Sequence, residues 1–330
     1  MMHSLLQALS PKGRDARLSI LIFHRVTAQC DPLFPGEMHA RRFDATLAWL
    51  ARWFQVLPLR DAVARLQAAE LPARALAISF DDGYADNVEV ALPILQRHGM
   101  PASFFIASDF LGGGCMWNDD IIEAVRASTL DELDVGPLGH YSLRTVDARR
   151  RAIAQLIGQI KYLPPLARAE AVHEVQRRSG CGAAPTLMMR PEGVRTLHRA
   201  GMEIGAHTAT HPILARLNRV DAANEIARGR AALEDIIGEP VTGFAYPNGK
   251  PDTDYLREHV DMVRAQGFAY AVSTAPGAAR LGDDVFELPR FTPWDDTRLR
   301  FGLRMARNLA SSRRRPQSCA GERVPAVQPG

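Results

Sequence analysis

Seven short apolar runs, each stopping abruptly at polar or glycine-rich residues, constrain this chain most. They occupy residues 18–23, 75–80, 102–107, 202–206, 241–246, 268–272 and 285–288. A strand that is apolar at every position suits burial on both faces, as in a parallel sheet. Helical patterns lie between the runs. Residues 42–52 place Phe43, Leu47 and Leu50 at helical spacing. Residues 86–98 read as a second helix closed by Gly99, with Pro93 predicting a kink or a late start. Residues 218–237 form the clearest pattern, with Asn218 as N-cap and Gly238 as stop. Strands alternating with helices argue for βα units.

Residues 112–190 break that rhythm. They are helical in character, best at 148–162 and 168–178, and read as an insertion between two βα units. The expected organisation is an N-terminal extension over 1–17, one α/β barrel over 18–297 carrying the insertion, and a basic, disordered tail over 298–330. Arginines crowd that tail and end in Arg313-Arg314-Arg315, which suits a solvated, frayed end or else a basic helix that rests on an anionic membrane surface or binds a partner. The formal net charge of +3 is too small to imply nucleic acid, and none is expected as a partner. Cys30, Cys115, Cys181 and Cys319 form no C-x-x-C pair and read as reduced thiols. No secretory pattern opens the chain and no run is long enough to span a bilayer, so the expected location is the cytoplasm, extending to the inner membrane face.

Reactive side chains in α/β folds gather where strands end at their C-terminal edge. Here that edge collects His24, Asp81, Asp82, His207, His211, Tyr246 and Arg290. His207 and His211 are four apart, but Pro212 disfavours a continuing helix, so a loop or single turn is expected. Neutral imidazoles are common ligands for zinc-like ions. Asp81 and Asp82 close an apolar strand, where a carboxylate needs a partner charge or a metal. Two histidines and one carboxylate make a metal site with open positions, used for hydrolysis or for iron–oxygen chemistry. A second carboxylate beside the ligand suits a general base.

The segments Phe80-Asp81-Asp82-Gly83-Tyr84, His207-Thr208-Ala209-Thr210-His211-Pro212 and Phe244-Ala245-Tyr246-Pro247-Asn248-Gly249 resemble, in order, motifs of the polysaccharide deacetylase (NodB-like) family. The resemblance covers roughly residues 18–292. It implies a distorted, seven-stranded (β/α) barrel and removal of N-acetyl groups from amino-sugar glycans or their precursors. It makes Asp81 the base, Asp82, His207 and His211 the metal ligands, and Thr208 a brace for the histidine loop. It places a backbone N–H that helps hold the oxyanion at Tyr246. Many members carry a late Leu-x-His as general acid, but this chain reads Glu287-Leu288-Pro289-Arg290-Phe291 there. A related branch begins with a segment similar to Ile22-Phe23-His24-Arg25-Val26, so His24 is assigned the acid. Arg290 would pair with Asp81 or cap the barrel rim. The expected cofactor is zinc, with cobalt, nickel or iron as other fits, and the expected partner is an N-acetylated saccharide. The rival readings are a non-catalytic glycan-binding barrel and a two-histidine, one-carboxylate iron oxygenase. Trp117 and Trp294 read as structural aromatics, with sugar stacking the alternative for each.

Overall fold

In the computed structural model, which describes residues 2–182 and 185–311, the apolar runs become the staves of a curled sheet. The strands are β1 (Arg17–Phe23), β2 (Gln55–Val56), β3 (Ala75–Asp82), β4 (Ser103–Ile106), β5 (Glu132–Asp134), β6 (His140–Ser142), β7 (Glu203–Ala206), β8 (Gly243–Ala245), β9 (Tyr270–Val272) and β10 (Ala279–Arg280). The helices are α1 (Met2–Leu9), α2 (Ala40–Trp53), α3 (Leu59–Gln67), α4 (Leu92–Arg97), α5 (Trp117–Ala127), α6 (Val146–Ile160), α7 (Pro165–Arg178), α8 (Pro191–Arg199), α9 (Arg219–Ile237), α10 (Arg257–Ala265) and α11 (Arg298–Ala310).

The main sheet runs β10-β1-β3-β4-β7-β8-β9, and β2 adds to β3. All its pairings are parallel except that of β10 with β1. Between β9 and β1 the sheet closes through isolated bridges, Val272 to Leu288 and Leu21 to Phe291. The run at 285–288 therefore fills a stave position without becoming a regular strand. Asp284 accepts the Phe286 N–H through its side chain at 3.0 Å, which bends the chain. Pro289, having no N–H, then interrupts any ladder. The result is a distorted (β/α) barrel.

β3 shows why the strands are apolar throughout: all eight of its residues are buried. The rings of Phe23, Phe80 and Phe104 stack across β1, β3 and β4, with centroids 5.3 and 4.8 Å apart. Each fully buried phenylalanine is worth roughly 1.5–3 kcal/mol of apolar transfer. This ladder fixes the strands whose ends carry the site.

The helices follow their sequence signals. The Asn218 side chain accepts the Asp221 N–H at 2.9 Å, and Gly238 ends α9 in the left-handed conformation. Before Pro93 the chain makes a π turn over Asn87–Ala91, and α4 starts only at Leu92, the late start that the proline imposes.

Two expectations need correction. The 112–190 segment carries not only α5, α6 and α7 but also an antiparallel hairpin of β5 and β6. With strands of three residues each, the hairpin leaves too short an alternation to stand out. Its Leu133 and Tyr141 join Ile121, Val125, Ile153, Leu156 and Val175 in a core separate from the barrel's. In the expected tail, residues 298–310 form α11. Thr297 caps it, and Phe301, Met305 and Leu309 are buried. The arginine density favoured a solvated tail over the basic helix that the alternation of arginines with Leu299, Leu303 and Met305 also allowed. The remainder of the expected tail, 312–330, with Cys319, lies outside the described residues; Cys30, Cys115 and Cys181 are free thiols.

Candidate metal and catalytic site

Parallel strands share a direction, so the ends of β3 and β7 deliver Asp81, Asp82 and His207 to one edge of the sheet. They line a cavity of about 260 Å³ with His24, Met116, Trp117, Asn118, Ile157, Lys161, His211, Asn248 and Thr274. A second cavity of about 270 Å³ opens at the starts of the strands, beside Arg60, His198, Glu203 and Glu239. Among the described residues, only Asp82, His207 and His211 form a cluster able to hold a metal ion.

Their geometry fits such an ion. The Nε2 atoms of His207 and His211 each lie 3.4 Å from Asp82 Oδ1. Tetrahedral ligands at about 2.0–2.1 Å from a zinc-like ion stand roughly 3.3 Å apart. His207 Nδ1 sits 2.7 Å from the Ala245 carbonyl, so Nδ1–H donates there and Nε2 is left free to ligate. Burial pushes the His211 imidazole down to about 4, with Asp82 opposing, so it stays neutral and ligand-competent. Burial also disfavours charge on His207, but Asp81 and Asp82 outweigh it and raise its pKa. Burial would raise the Asp82 carboxyl, yet the His207 hydrogen bond and the adjacent His211 imidazole hold it well below the ordinary range.

The backbone is strained where these side chains meet. Seven non-glycine residues among those described have positive φ, and Asp82 (+78°), Thr208 (+64°), His211 (+53°) and Asn248 (+58°) are four of them. Such conformations persist only where surroundings enforce them, and they gather at functional sites. The enforcement is visible. Thr208 Oγ1 donates to the His207 carbonyl at 2.5 Å and accepts the His211 N–H at 3.1 Å. Glu225 of α9 accepts the N–H groups of Ala209 and Thr210 at 3.2 and 2.8 Å. Gly229, one turn further along α9, lies so close that a Cβ would stand 2.4 Å from the Thr208 backbone.

Asp81 faces the same cavity from a different setting. It is 2% exposed, and Arg290 grips both its oxygens at 2.7 Å. Burial would raise its pKa, but Arg290 and His207 outweigh that and hold it below the usual range. Arg290 is itself held by the Ser273 carbonyl at 2.9 Å. His24 is solvent-exposed at the cavity mouth. Asn87 donates to its carbonyl at 2.9 Å, and Asp86 holds the next two residues through Arg25 Nε (2.8 Å) and the Val26 N–H (3.2 Å). A hydrogen-bonded core position for His24 is thereby excluded.

Tyr246 does not enter the cavity. Its ring stacks on Tyr255 at 3.8 Å, its hydroxyl donates to the Phe286 carbonyl, and its N–H bonds to the Val272 carbonyl at 3.3 Å. Trp117 does line the cavity, whereas Trp294 is 60% exposed beneath the Arg304 guanidinium and borders an adjoining cleft with His24. Sequence reasoning missed Glu225, Gly229, Lys161, Asn118, Asn248 and Thr274. Only Asn248 had a signal, in its place within Pro247-Asn248-Gly249; the others come from helices and loops that only the fold brings near.

A curled parallel sheet with two histidines and two carboxylates at its C-terminal edge defines the class as a (β/α) barrel with a candidate metal centre. The chain belongs to the polysaccharide deacetylase family, whose model matches residues 68–271. It is 21% identical over 279 residues to YxkH of Bacillus subtilis (strain 168), which bears a polysaccharide deacetylase name; the match spans 84% of this chain and 71% of that protein. The fold is shared with IcaB from Ammonifex degensii (TM-score 0.58, 18% identity, 92% and 99% of the two chains). It is shared too with the Streptococcus pyogenes deacetylase PplD in complex with acetate (TM-score 0.56, 16% identity, 84% and 92%).

Proposed function

We propose that this protein is a metal-dependent hydrolase that removes N-acetyl groups from an amino-sugar glycan or glycan precursor. The observation that carries the reading is the pairing of a complete Asp82–His207–His211 ligand set with a separately held carboxylate, Asp81, in one cavity. Zinc is the expected ion, with cobalt, nickel or iron as other fits to two histidines and an aspartate. A bound divalent ion would supply Lewis acidity and make water a nucleophile near neutral pH.

The chain's own groups do the rest. Asp81 accepts a proton from the attacking water at a carboxylate oxygen. Its low pKa makes it a weak base, which suffices for an acidified water and keeps it ionised. Arg290 fixes the carboxylate plane through two bonds. His24 donates a proton to the departing nitrogen from the cavity mouth. The Tyr246 N–H is the oxyanion donor that the family resemblance implies, and it would have to loosen its 3.3 Å bond to Val272 to serve. Atoms balance as amide plus water giving acetate and a free amine.

No helix among the described residues is long and apolar enough to cross a membrane. A cytoplasmic location, with peripheral contact at the inner membrane face through the basic C-terminal residues, accords with this reading. The organisation we propose is a barrel over 18–297 with the insertion over 112–190. The test is acetate release by the purified protein with added zinc or cobalt, over neutral and charged N-acetylated saccharides. Metal-dependent release is expected. A metal-loaded protein that binds these glycans and releases none would replace the reading with a non-catalytic one.

A further inference from the structure

The insertion supplies one wall of the cavity, through Met116, Trp117, Asn118, Ile157 and Lys161. Lys161 is the cation of that wall, Arg168 and Arg216 lie beside it, and the nearby carboxylates of Asp119 and Asp120 are taken by Tyr84 and Gln176 rather than by these cations. Lys161, Arg168 and Arg216 make no ion pair among the described residues. Burial lowers the Arg168 pKa, and no carboxylate raises it back. Instead the three cations lie over two rings: Arg168 is 5.4 Å from the Trp117 centroid, and Lys161 and Arg216 are 5.4 and 5.5 Å from that of Tyr162. Arg216 comes from the barrel, five residues after His211, so the cluster bridges insertion and site.

Several other arginines of the insertion are paired, and Arg149 is held by the Val125 and Ser128 carbonyls. Arg126 bonds Asp31 and Glu123, Arg150 bonds Asp147, and Arg177 and Arg178 share Glu174. Arg151 and Arg190 also make no ion pair among the described residues, but Lys161, Arg168 and Arg216 are the three that gather over the rings beside the cavity. An aromatic face returns about 0.5–1 kcal/mol to an exposed cation but accepts none of its N–H groups in the way that an anion does. At the opposite wall the negative charges are already answered, Asp81 by Arg290 and Asp82 by the histidines.

We infer that the substrate carries an anionic group, a phosphate or a carboxylate, close to the acetamido group that is hydrolysed. Lys161 and Arg168 receive the anion, Arg216 adds to the field, and Trp117, which lines the cavity, receives a sugar ring. The inference takes the acetamide from the proposed deacetylase reading and the anion from the cationic wall alone. An acidic or phosphorylated amino sugar is thus the substrate class.

The test uses binding, so that it does not depend on turnover. The zinc-loaded full chain carrying His24→Gln, which leaves the Asp81–Arg290 pair intact, is titrated with N-acetylglucosamine, with its 1-phosphate, and with a disaccharide of N-acetylglucosamine and a uronic acid. At least one charged ligand should bind about tenfold more tightly than the neutral sugar, one charge-assisted hydrogen bond being worth about that factor. Adding Lys161→Gln should remove most of the preference, Lys161→Arg should keep it, and Arg168→Gln should reduce it by a smaller factor. The stronger of the two charged ligands identifies the anion. Equal affinities for charged and neutral sugars would overturn the inference. So would a preference untouched by both substitutions, since the metal end alone would then be holding the anion. Acetate release by the unsubstituted protein on the same ligands is read separately. Absence of release beside an intact Lys161-dependent preference would retire the deacetylase reading and uphold the anion site.

Discussion

The two walls of the cavity are built by different means. The barrel wall consists of strand ends. Asp81 and Asp82 terminate a fully buried strand, and their neighbours hold them through two-point bonds, a carbonyl on His207 Nδ1 and a glycine pressed against the histidine loop. The insertion wall rests largely on its own apolar core and meets the barrel through several polar ties, among them Arg126 on Asp31, the Ala85 N–H on the Leu187 carbonyl and the Met189 N–H on the Gly83 carbonyl. One is buried: Tyr84, just after the paired aspartates, donates to Asp119 of α5 at 2.9 Å, with Arg25 over the Tyr84 ring. The barrel wall is over-determined, as chemistry at fixed distances requires. The insertion wall is held mainly by its own apolar core, apart from the strand ends that carry the candidate ligand set.

The sharpest way to break this contrast is at Arg290. Arg290→Gln leaves Asp81 buried without its partner charge, and such losses cost about 3–5 kcal/mol. Urea unfolding should show that drop, with acetate release falling alongside. A stability loss below about 1 kcal/mol would mean that the barrel wall tolerates what we describe as rigid.

Asp119 probes the tie between the walls. Burial pushes its carboxyl up to about 7, while the Tyr84 hydrogen bond and Arg25 pull it down. The folded state therefore holds a proton that the unfolded state, with a carboxyl near 3.9, has released. Stability from this group is complete below about pH 4 and is lost as pH rises to about 7. Asp119→Asn should remove between about 1 and 4 kcal/mol of that fall, measured as the difference in unfolding free energy between pH 5 and pH 8. An unchanged pH slope would show that Asp119 does not titrate in that window.

A smaller effect is expected at Gly229. Alanine favours helix there by about 1 kcal/mol, but its Cβ would meet the Thr208 backbone. Overpacking of this kind costs about 1–3 kcal/mol. The displaced histidine loop should lose roughly ten- to a hundredfold in zinc affinity, the range seen when a ligand's supporting contacts are removed. Unchanged zinc affinity would mean that α9 does not position the loop.

The same contrast explains what the sequence could reveal. Asp81, Asp82, His207 and His211 were legible because an apolar run that stops at a charged residue marks a strand end, and parallel strands send their ends to one place. Arg290 followed from the same logic, although its residues 285–288 fill a stave without forming a strand. Tyr246 sits at a strand end too, yet its side chain turns into the core, because the pattern fixes position and not direction. At α11 the arginines favoured a solvated tail, and the β5–β6 hairpin was hidden by its brevity. Lys161, Arg168 and Arg216 had no local pattern, since only the packing of the insertion against the barrel brings them together.

The central claim is that one carboxylate holds the ion while its neighbour moves the proton. Zinc content and acetate release should therefore be measured on the same preparation of Asp81→Asn. The account predicts zinc at the level of the unsubstituted protein and turnover reduced by at least about a thousandfold. Zinc retained with undiminished turnover would contradict it, because Asp81 would then not be the base.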